Sequence, residues 1–407
     1  MEGRRFIREI KLRDFLSYGD EGVALSLEPL NVLIGPNASG KSNLIEAVSL
    51  LQSAPGDLKS PMTEGGGGIN EWLWKGDDGR AKSLCIEVVV DYPKGIMPLR
   101  YRLELGAREQ RLHLVDEALE NEEPTDESEQ DVYFFYRYQN GNPVLNVRSV
   151  REETPGTGRG RERRGLEHEE ISSDQSVLSQ KKDFDQYPEI TYVAQQFKAM
   201  RLYRNWNLGR YTKPRLPQSA DLPGDYLMED ASNLGLVLNN LEHTPGFKAQ
   251  LLERLREFYP LVEDVSTKIQ GGTVQVYLHE RGLGYPVPAT RLSDGTLRYL
   301  CLITILCHPS PPPLVCIEEP ELDLHPDILA EVADMLQQAS DRTQVILTTH
   351  SDVLVSHLTD TPEAVVVCER DERGTQLSRL ERAPLETWID KYALGELWLM
   401  GEVGGTL

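Results

Sequence analysis

Cysteine is scarce in this chain, with five among 407 residues and no Cys-x-x-Cys pair. Cys85, Cys301, Cys307, Cys316 and Cys368 therefore offer neither a disulfide frame nor a zinc site. Three of them sit in strongly apolar runs and read as small core residues in a reducing cytosol. Positive charge is also in deficit: 43 Lys and Arg stand against 65 Asp and Glu, a formal net charge of −22. Such a surface repels nucleic acid and anionic lipid as a whole, so any DNA contact has to come from a local basic patch. No apolar run is long enough for a bilayer; Leu297 to Cys307 is interrupted by Arg298 and followed by His-Pro-Ser-Pro-Pro-Pro. The opening residues lack the apolar stretch of a signal peptide, and Glu2 and Glu9 argue against a transit peptide. A cytoplasmic protein that makes no membrane contact is expected. Internal repeats and sustained heptads are missing too, which excludes an extended coiled coil.

What is present is the composition of a globular protein, 39% hydrophobic and 27% charged, with length for one large domain or two. Residues 4–34 read as two or three strands feeding a glycine turn, and Asn43 to Gln52 has helical periodicity. Leu84–Val90, Leu99–Leu105, Val132–Tyr138 and Val144–Val150 suggest an antiparallel sheet. Two charged insertions, at about 120–131 and 151–170, look disordered. Residues 226–259 read as helical, Val262–Ile269 and Thr273–Leu278 as strands, and Asp294–Cys307 as a buried helix. Leu314–Ile317, Gln344–Thr348 and Ala364–Cys368 then alternate with Ile328–Gln338 as strands and helix, the pattern of an α/β core.

Four motifs carry chemistry. Gly35-Pro36-Asn37-Ala38-Ser39-Gly40-Lys41-Ser42, followed by Asn43, is a phosphate cradle between a strand and a helix. Its glycines let the backbone approach phosphate, and successive N–H groups and the helix N-terminus point at the anion. Lys41 brings charge to the β and γ phosphates, and Ser42 brings a hydroxyl to Mg²⁺. Glu318 and Glu319 end an apolar strand, where ligands of α/β sheets bind. Glu318 is expected at the metal and Glu319 as general base for the attacking water. His350 ends the next strand and can hydrogen-bond the γ-phosphate. Ser293-Asp294-Gly295-Thr296 opens a helix with a second set of anion-binding groups. That set is surplus within one subunit unless it serves another.

This order of motifs resembles an ABC-type ATPase head of the RecF/SMC-like branch, the AAA_21 type. Glu318-Glu-Pro-Glu-Leu-Asp-Leu-His-Pro326 with Thr348-Thr-His-Ser351 is also similar to the ATPase half of OLD-family nucleases. The resemblance implies an α/β P-loop NTPase whose head has a mixed sheet core, an antiparallel β subdomain and a helical lobe. The expected divisions of one composite ATPase domain are 1–185, 186–262 and 263–407. ATP and Mg²⁺ are the implied ligands. The implied assembly is a homodimer formed on ATP, with Ser293–Thr296 of one copy completing the site of the other and Asp323, as D-loop residue, communicating across. Gln180 resembles the metal-reaching Q-loop glutamine, with Gln195 and Gln196 as competitors. Asp294 and Thr296 replace the second Gly and the Gln of the transporter-type signature, and Glu318 stands where most such heads carry Asp. The segment after His350 is too short for a TOPRIM domain, so a nuclease output would come from a separate TOPRIM-like partner. The implied role is the motor or switch of a DNA-repair or phage-defence complex, or an ATP-gated scaffold regulating such a partner.

One stretch stands apart from the acidic background. Between Ile190 and Ala220 lie Lys198, Arg201, Arg204, Arg210, Lys213 and Arg215, interleaved with Tyr203, Trp206 and Tyr211 and without an acid. It is a candidate contact for a DNA backbone or an acidic partner, or a cationic helix face in solvent. Tyr392–Glu402 is either a docking strip or a helix packed on the head.

Overall fold

The computed structural model of the protein describes residues 3–64, 67–76, 79–124, 131–139, 142–148, 161–165, 172, 174–204 and 206–405. At its centre is a six-stranded sheet in the order β12 (Arg201–Tyr203), β17 (Leu314–Glu318), β18 (Gln344–Thr348), β3 (Leu30–Ile34), β19 (Val365–Asp371) and β20 (Gly374–Arg379). The first five run parallel, and β20 returns antiparallel. β3 and β18 are buried at every position, as continuous apolar strands covered on both faces are. Alternate residues divide two cores. Leu33, Leu314, Cys316, Ile346 and Val366 face one, and Val32, Ile34, Val315, Ile317 and Leu347 face the other.

The first core is closed by an eight-stranded antiparallel sheet. Its order is β11 (Arg161–Gly165), β10 (Asn142–Arg148), β9 (Phe134–Gln139), β8 (Arg111–Asn121), β7 (Leu99–Arg108), β6 (Ser83–Val90), β1 (Ile7–Arg13) and β2 (Val23–Ser26). The helix Lys41–Ser53 is packed into this core through Leu44, Ile45 and Val48, with Leu84, Ile86 and Leu103 of the antiparallel sheet in the same cluster. The other face of that sheet is wet and laced with ion pairs, such as Lys11–Glu87, Arg100–Glu120 and Arg102–Asp116. The second core is covered by the helices Leu234–Glu242, Phe247–Phe258 and Asp294–Leu306 and by a small sheet. That sheet comprises β13 (Gln218–Ser219), β15 (Thr273–Glu280) and β14 (Val262–Gln270), with β16 (Val287–Pro288) on β15. A short hairpin, β4 (Lys75–Gly76) and β5 (Gly79–Arg80), completes the strands.

Several expectations are corrected. Within 151–170, residues 161–165 are not structureless: they form β11, paired with β10 over five positions, because a backbone ladder does not need apolar side chains. In the other insertion, Glu120 and Asn121 end β8, and residues 125–130 lie outside the described set. The helical run of 226–259 starts only at Leu234. Before it, the Asn233 amide donates to Pro223 O and Tyr226 O and accepts from Met228 N, which closes a loop instead. The segment 186–262 is accordingly helical only in part, since β12 and β13 belong to sheets. At the C-terminal end, the helix Leu394–Leu399 packs on the head through the fully buried Trp398, whose Nε1 donates to Gly405 O.

Candidate nucleotide site

The site is built at the carboxyl edge of three adjacent parallel strands. β17 pairs with β18 through Glu318↔Thr348, and β18 pairs with β3 through Thr348↔Leu33. This register places Glu318 and Glu319, His350 and the loop Gly35–Ser42 side by side, the position where open α/β sheets hold ligands. In the loop, Gly35 has φ 142° and Gly40 φ 102°. A Cβ on Gly35 would stand 2.1 Å from Cys368 O, and one on Gly40 2.2 Å from Thr375 Oγ1, so both positions require glycine. Hydroxyls brace the turn from behind: Thr375 Oγ1 donates to Ser39 O at 2.8 Å and meets Ser17 Oγ at 2.7 Å, and Tyr18 OH donates to Gly40 O at 3.1 Å. Asn43 spends its amide on this brace, donating to Ser17 Oγ at 2.7 Å. The Lys41 ammonium reaches over the loop to Gly35 O (2.7 Å) and Pro36 O (2.9 Å). Burial lowers its pKa, while Cys368 and Glu319 pull it back up.

The two carboxylates differ in environment. Burial raises the pKa of Glu318, against the Ser42 hydroxyl and the Arg204 guanidinium, which draw it down. Glu319 has φ 45°, a strained backbone for a residue with a Cβ, and its N–H donates to Thr348 O at 3.0 Å. The turn points its carboxylate at His350, with Oε1 3.8 Å from Nε2.

Two parts of the site were not visible in the sequence. Glu321 Oε1 accepts from Thr349 Oγ1 (2.7 Å) and from the His350 N–H (2.8 Å), and so fixes the backbone that presents the imidazole. Glu46, one turn along the helix from Ser42, pairs with Arg204 at 3.0 Å, and Arg204 also holds Glu229 at 3.0 Å. The Glu-Pro-Glu spacing was the available signal for Glu321; nothing local signals Arg204.

Ser293 caps the helix Asp294–Leu306, its Oγ accepting from Thr296 N at 3.0 Å and lying 2.7 Å from Thr296 Oγ1. Asp323 lies against this helix in the same subunit, 3.5 Å from Arg298. Among the described residues, no hydrogen bond or ion pair joins Ser293–Thr296 to Gly35–Asn43, so the chain does not bring these two turns into one contact network.

Other expected residues are placed differently. Gln180 turns its amide to its own loop: Oε1 accepts from Ser172 N, and Nε2 donates to Gln175 O at 3.0 Å. These bonds do not lead to Ser42 or Glu318. The basic stretch is not one helix face, because only Lys198 lies in the helix Pro188–Ala199 and the rest continues as β12 and irregular chain, and three of its six cations are paired with carboxylates. Arg204 pairs with Glu46 and Glu229, Lys213 with Asp230, and Arg215 with Asp294. Arg201 donates to Lys198 O, Ala199 O and Met200 O and lies over the Tyr226 ring; Lys198 and Arg210 are exposed. No helix among the described residues is long and apolar enough to cross a membrane.

Comparison with known proteins gives a family and a fold. Residues 30–356 match the family model AAA_21, described as "AAA domain, putative AbiEii toxin, Type IV TA system". A segment of 46 residues is 48% identical to the DNA replication and repair protein RecF of Gloeobacter violaceus, covering 11% of this chain and 12% of that protein. Two solved structures share the fold. One is an Smc head bound to the C-terminal winged-helix domain of ScpA, with TM-score 0.59, 14% identity and coverage of 93% of this chain and 99% of that one. The other is the Smc head domain with an extended coiled coil bound to the C-terminal domain of ScpA, from Pyrococcus furiosus, with TM-score 0.60, 12% identity and coverage of 95% and 99%.

Proposed function

The chain belongs to the AAA_21 family, as an ABC-type ATPase head of the RecF/SMC-like kind, and from that premise we propose that it hydrolyses ATP between two copies of itself. The observation that carries this reading is that, among the described residues, no hydrogen bond or ion pair joins Ser293–Thr296 to Gly35–Asn43. Lys41, Glu318, Glu319 and His350 lie along one sheet edge, while Ser293 caps a helix whose first turn meets the loop after Glu319. In the proposed complex the P-loop N–H groups and Lys41 hold the β and γ phosphates. His350 hydrogen-bonds the γ-phosphate, and Glu319 takes the proton of the attacking water as the P–O bond to ADP breaks. Ser293 and the Gly295 N–H of the facing copy would close the far side of the triphosphate.

The oxygen donors of Ser42 and Glu318 suit Mg²⁺, which takes few protein ligands and keeps waters and phosphate oxygens. When bound there, the ion would neutralise charge on the β and γ phosphates. Glu319→Gln should keep ATP affinity and lose turnover by about 10²-fold or more, accumulating an ATP-bound dimer. Normal turnover in that variant, measured by phosphate release, would remove Glu319 from the base role.

The pairing of Arg204, Lys213 and Arg215 with carboxylates favours regulation of a partner protein over DNA contact through this stretch. A place in repair or phage defence fits either output. Turnover measured with and without duplex DNA separates them.

A further inference from the structure

Arg215 lies in the acid-free basic stretch between Ile190 and Ala220, yet it is only 4% exposed. Its guanidinium serves one neighbourhood. Nε donates to Leu208 O at 2.6 Å, Nη1 donates to Leu292 O and, at 3.4 Å, to Ala289 O, and Nη2 donates to Asp294 Oδ1. The acceptors at 289, 292 and 294 all belong to the turn that enters the helix Asp294–Leu306, and they bracket Ser293. A planar fork with donors in fixed directions sets the relative positions of the groups it spans; a lysine ammonium does not.

The tie is reciprocal. From the helix, Arg298 donates to Trp206 O at 3.3 Å, lies 5.4 Å over the Trp206 ring and pairs with Asp323. A Cβ on Gly295 would stand 2.6 Å from Asp323 O, so the turn and the loop after Glu319 touch with no room between them. Ser293 and Asp294 remain exposed at the surface of this assembly. Burying a guanidinium costs free energy that apolar packing would not. What the fork supplies is a single conformation for the exposed pair Ser293 and Asp294 at the head of this helix.

We propose that Arg215 is a positioning residue for nucleotide hydrolysis: it holds Ser293 and the Gly295 N–H in the arrangement that the nucleotide of a facing copy meets. This rests on the two-copy reading above, so its test needs a readout within the single subunit. Hydrogen exchange over residues 289–298 supplies one. Arg215→Lys retains the charge and loses the fork. Asp294→Asn, at a half-exposed residue, keeps the fold even if the arginine variant does not. Both variants should raise exchange over 293–297 by about tenfold while leaving β14 and β15 unchanged. In the Glu319→Gln background they should weaken the ATP-dependent dimer by about tenfold or more, with ATP affinity of the dilute subunit within about twofold of the parent. Unchanged exchange over 293–297 in Asp294→Asn, or a rise spread equally over β14 and β15, overturns the positioning role. A local rise beside a Glu319→Gln parent that never dimerises on ATP supports the hold on the turn and defeats the two-copy reading instead.

Discussion

Glu117 is a carboxyl without access to water, at the centre of the antiparallel sheet. Tyr101 OH donates to it at 2.6 Å and Val177 N–H at 2.8 Å, with the Ser176 hydroxyl as a third donor. Burial still outweighs these bonds and pushes its pKa up to about 7. In the unfolded chain the same group titrates at the ordinary 4.5. Below that pH both states hold the proton and the contribution to stability is complete. Between 4.5 and about 7 the unfolded chain releases its proton first, so stability falls as pH rises. The loss is on the order of 2–4 kcal/mol across the window. Glu117→Gln should flatten this part of the profile in urea unfolding between pH 5 and 8; an identical slope in both proteins would contradict it. The sequence did not expose this residue, because an acid in a strand reads as solvent-facing. That Gly35, Gly40, Lys41, Glu318, Glu319 and His350 lie at strand ends was legible because each motif is local, a strand followed by its loop. Glu321 and Arg204 were not, because their partners lie 28 and 158 residues away.

At the scale of elements, the P-loop shows how a turn depends on its neighbours. Gly40→Ala would place a methyl group against Thr375 Oγ1 and Ser17 Oγ at a φ that side chains resist. A cost of about 2–4 kcal/mol follows from strain and overlap together. The expected outcome is a thermal midpoint lower by several degrees and ATP affinity reduced at least tenfold, read by calorimetry; unchanged affinity would mean that the loop shifts freely. Part of the brace behind this loop, Thr375, comes from β20, which no periodicity in the sequence announced. β8 was missed for a related reason: Glu117 stands on its inner face with Leu114 and Leu119, so the alternation of apolar and polar residues fails there. β11 was missed because its residues are almost all charged, and its place is set by pairing with β10. β3, β17 and β18 were legible as short apolar runs bounded by turns, the mark of strands buried on both faces.

For the whole molecule, the prediction is one of assembly. Ser293→Arg puts a bulky cation on the exposed turn without touching Lys41 or Glu319. Single subunits should bind ATP within about twofold of the parent, while the ATP-dependent dimer is lost and turnover falls by about 10²-fold. Sedimentation with and without ATP reads the first effect and phosphate release the second; a dimer of normal stability would end the shared-site reading.

The residues alone determined the family resemblance, the α/β core and which glycine-rich loop and acidic pair are the candidates for the site, since each depends on neighbours within a few positions along the chain. Only the tertiary structure decided that Arg204, Lys213 and Arg215 of the basic stretch are spent on Glu46, Glu229, Asp230 and Asp294, that Gln180 faces its own loop, and that Glu117 is buried. A charge in a sequence carries no record of its counter-ion. Which carboxylate comes within 3 Å of a guanidinium is fixed by how the sheets and helices pack, and that packing is driven by apolar residues far from either group.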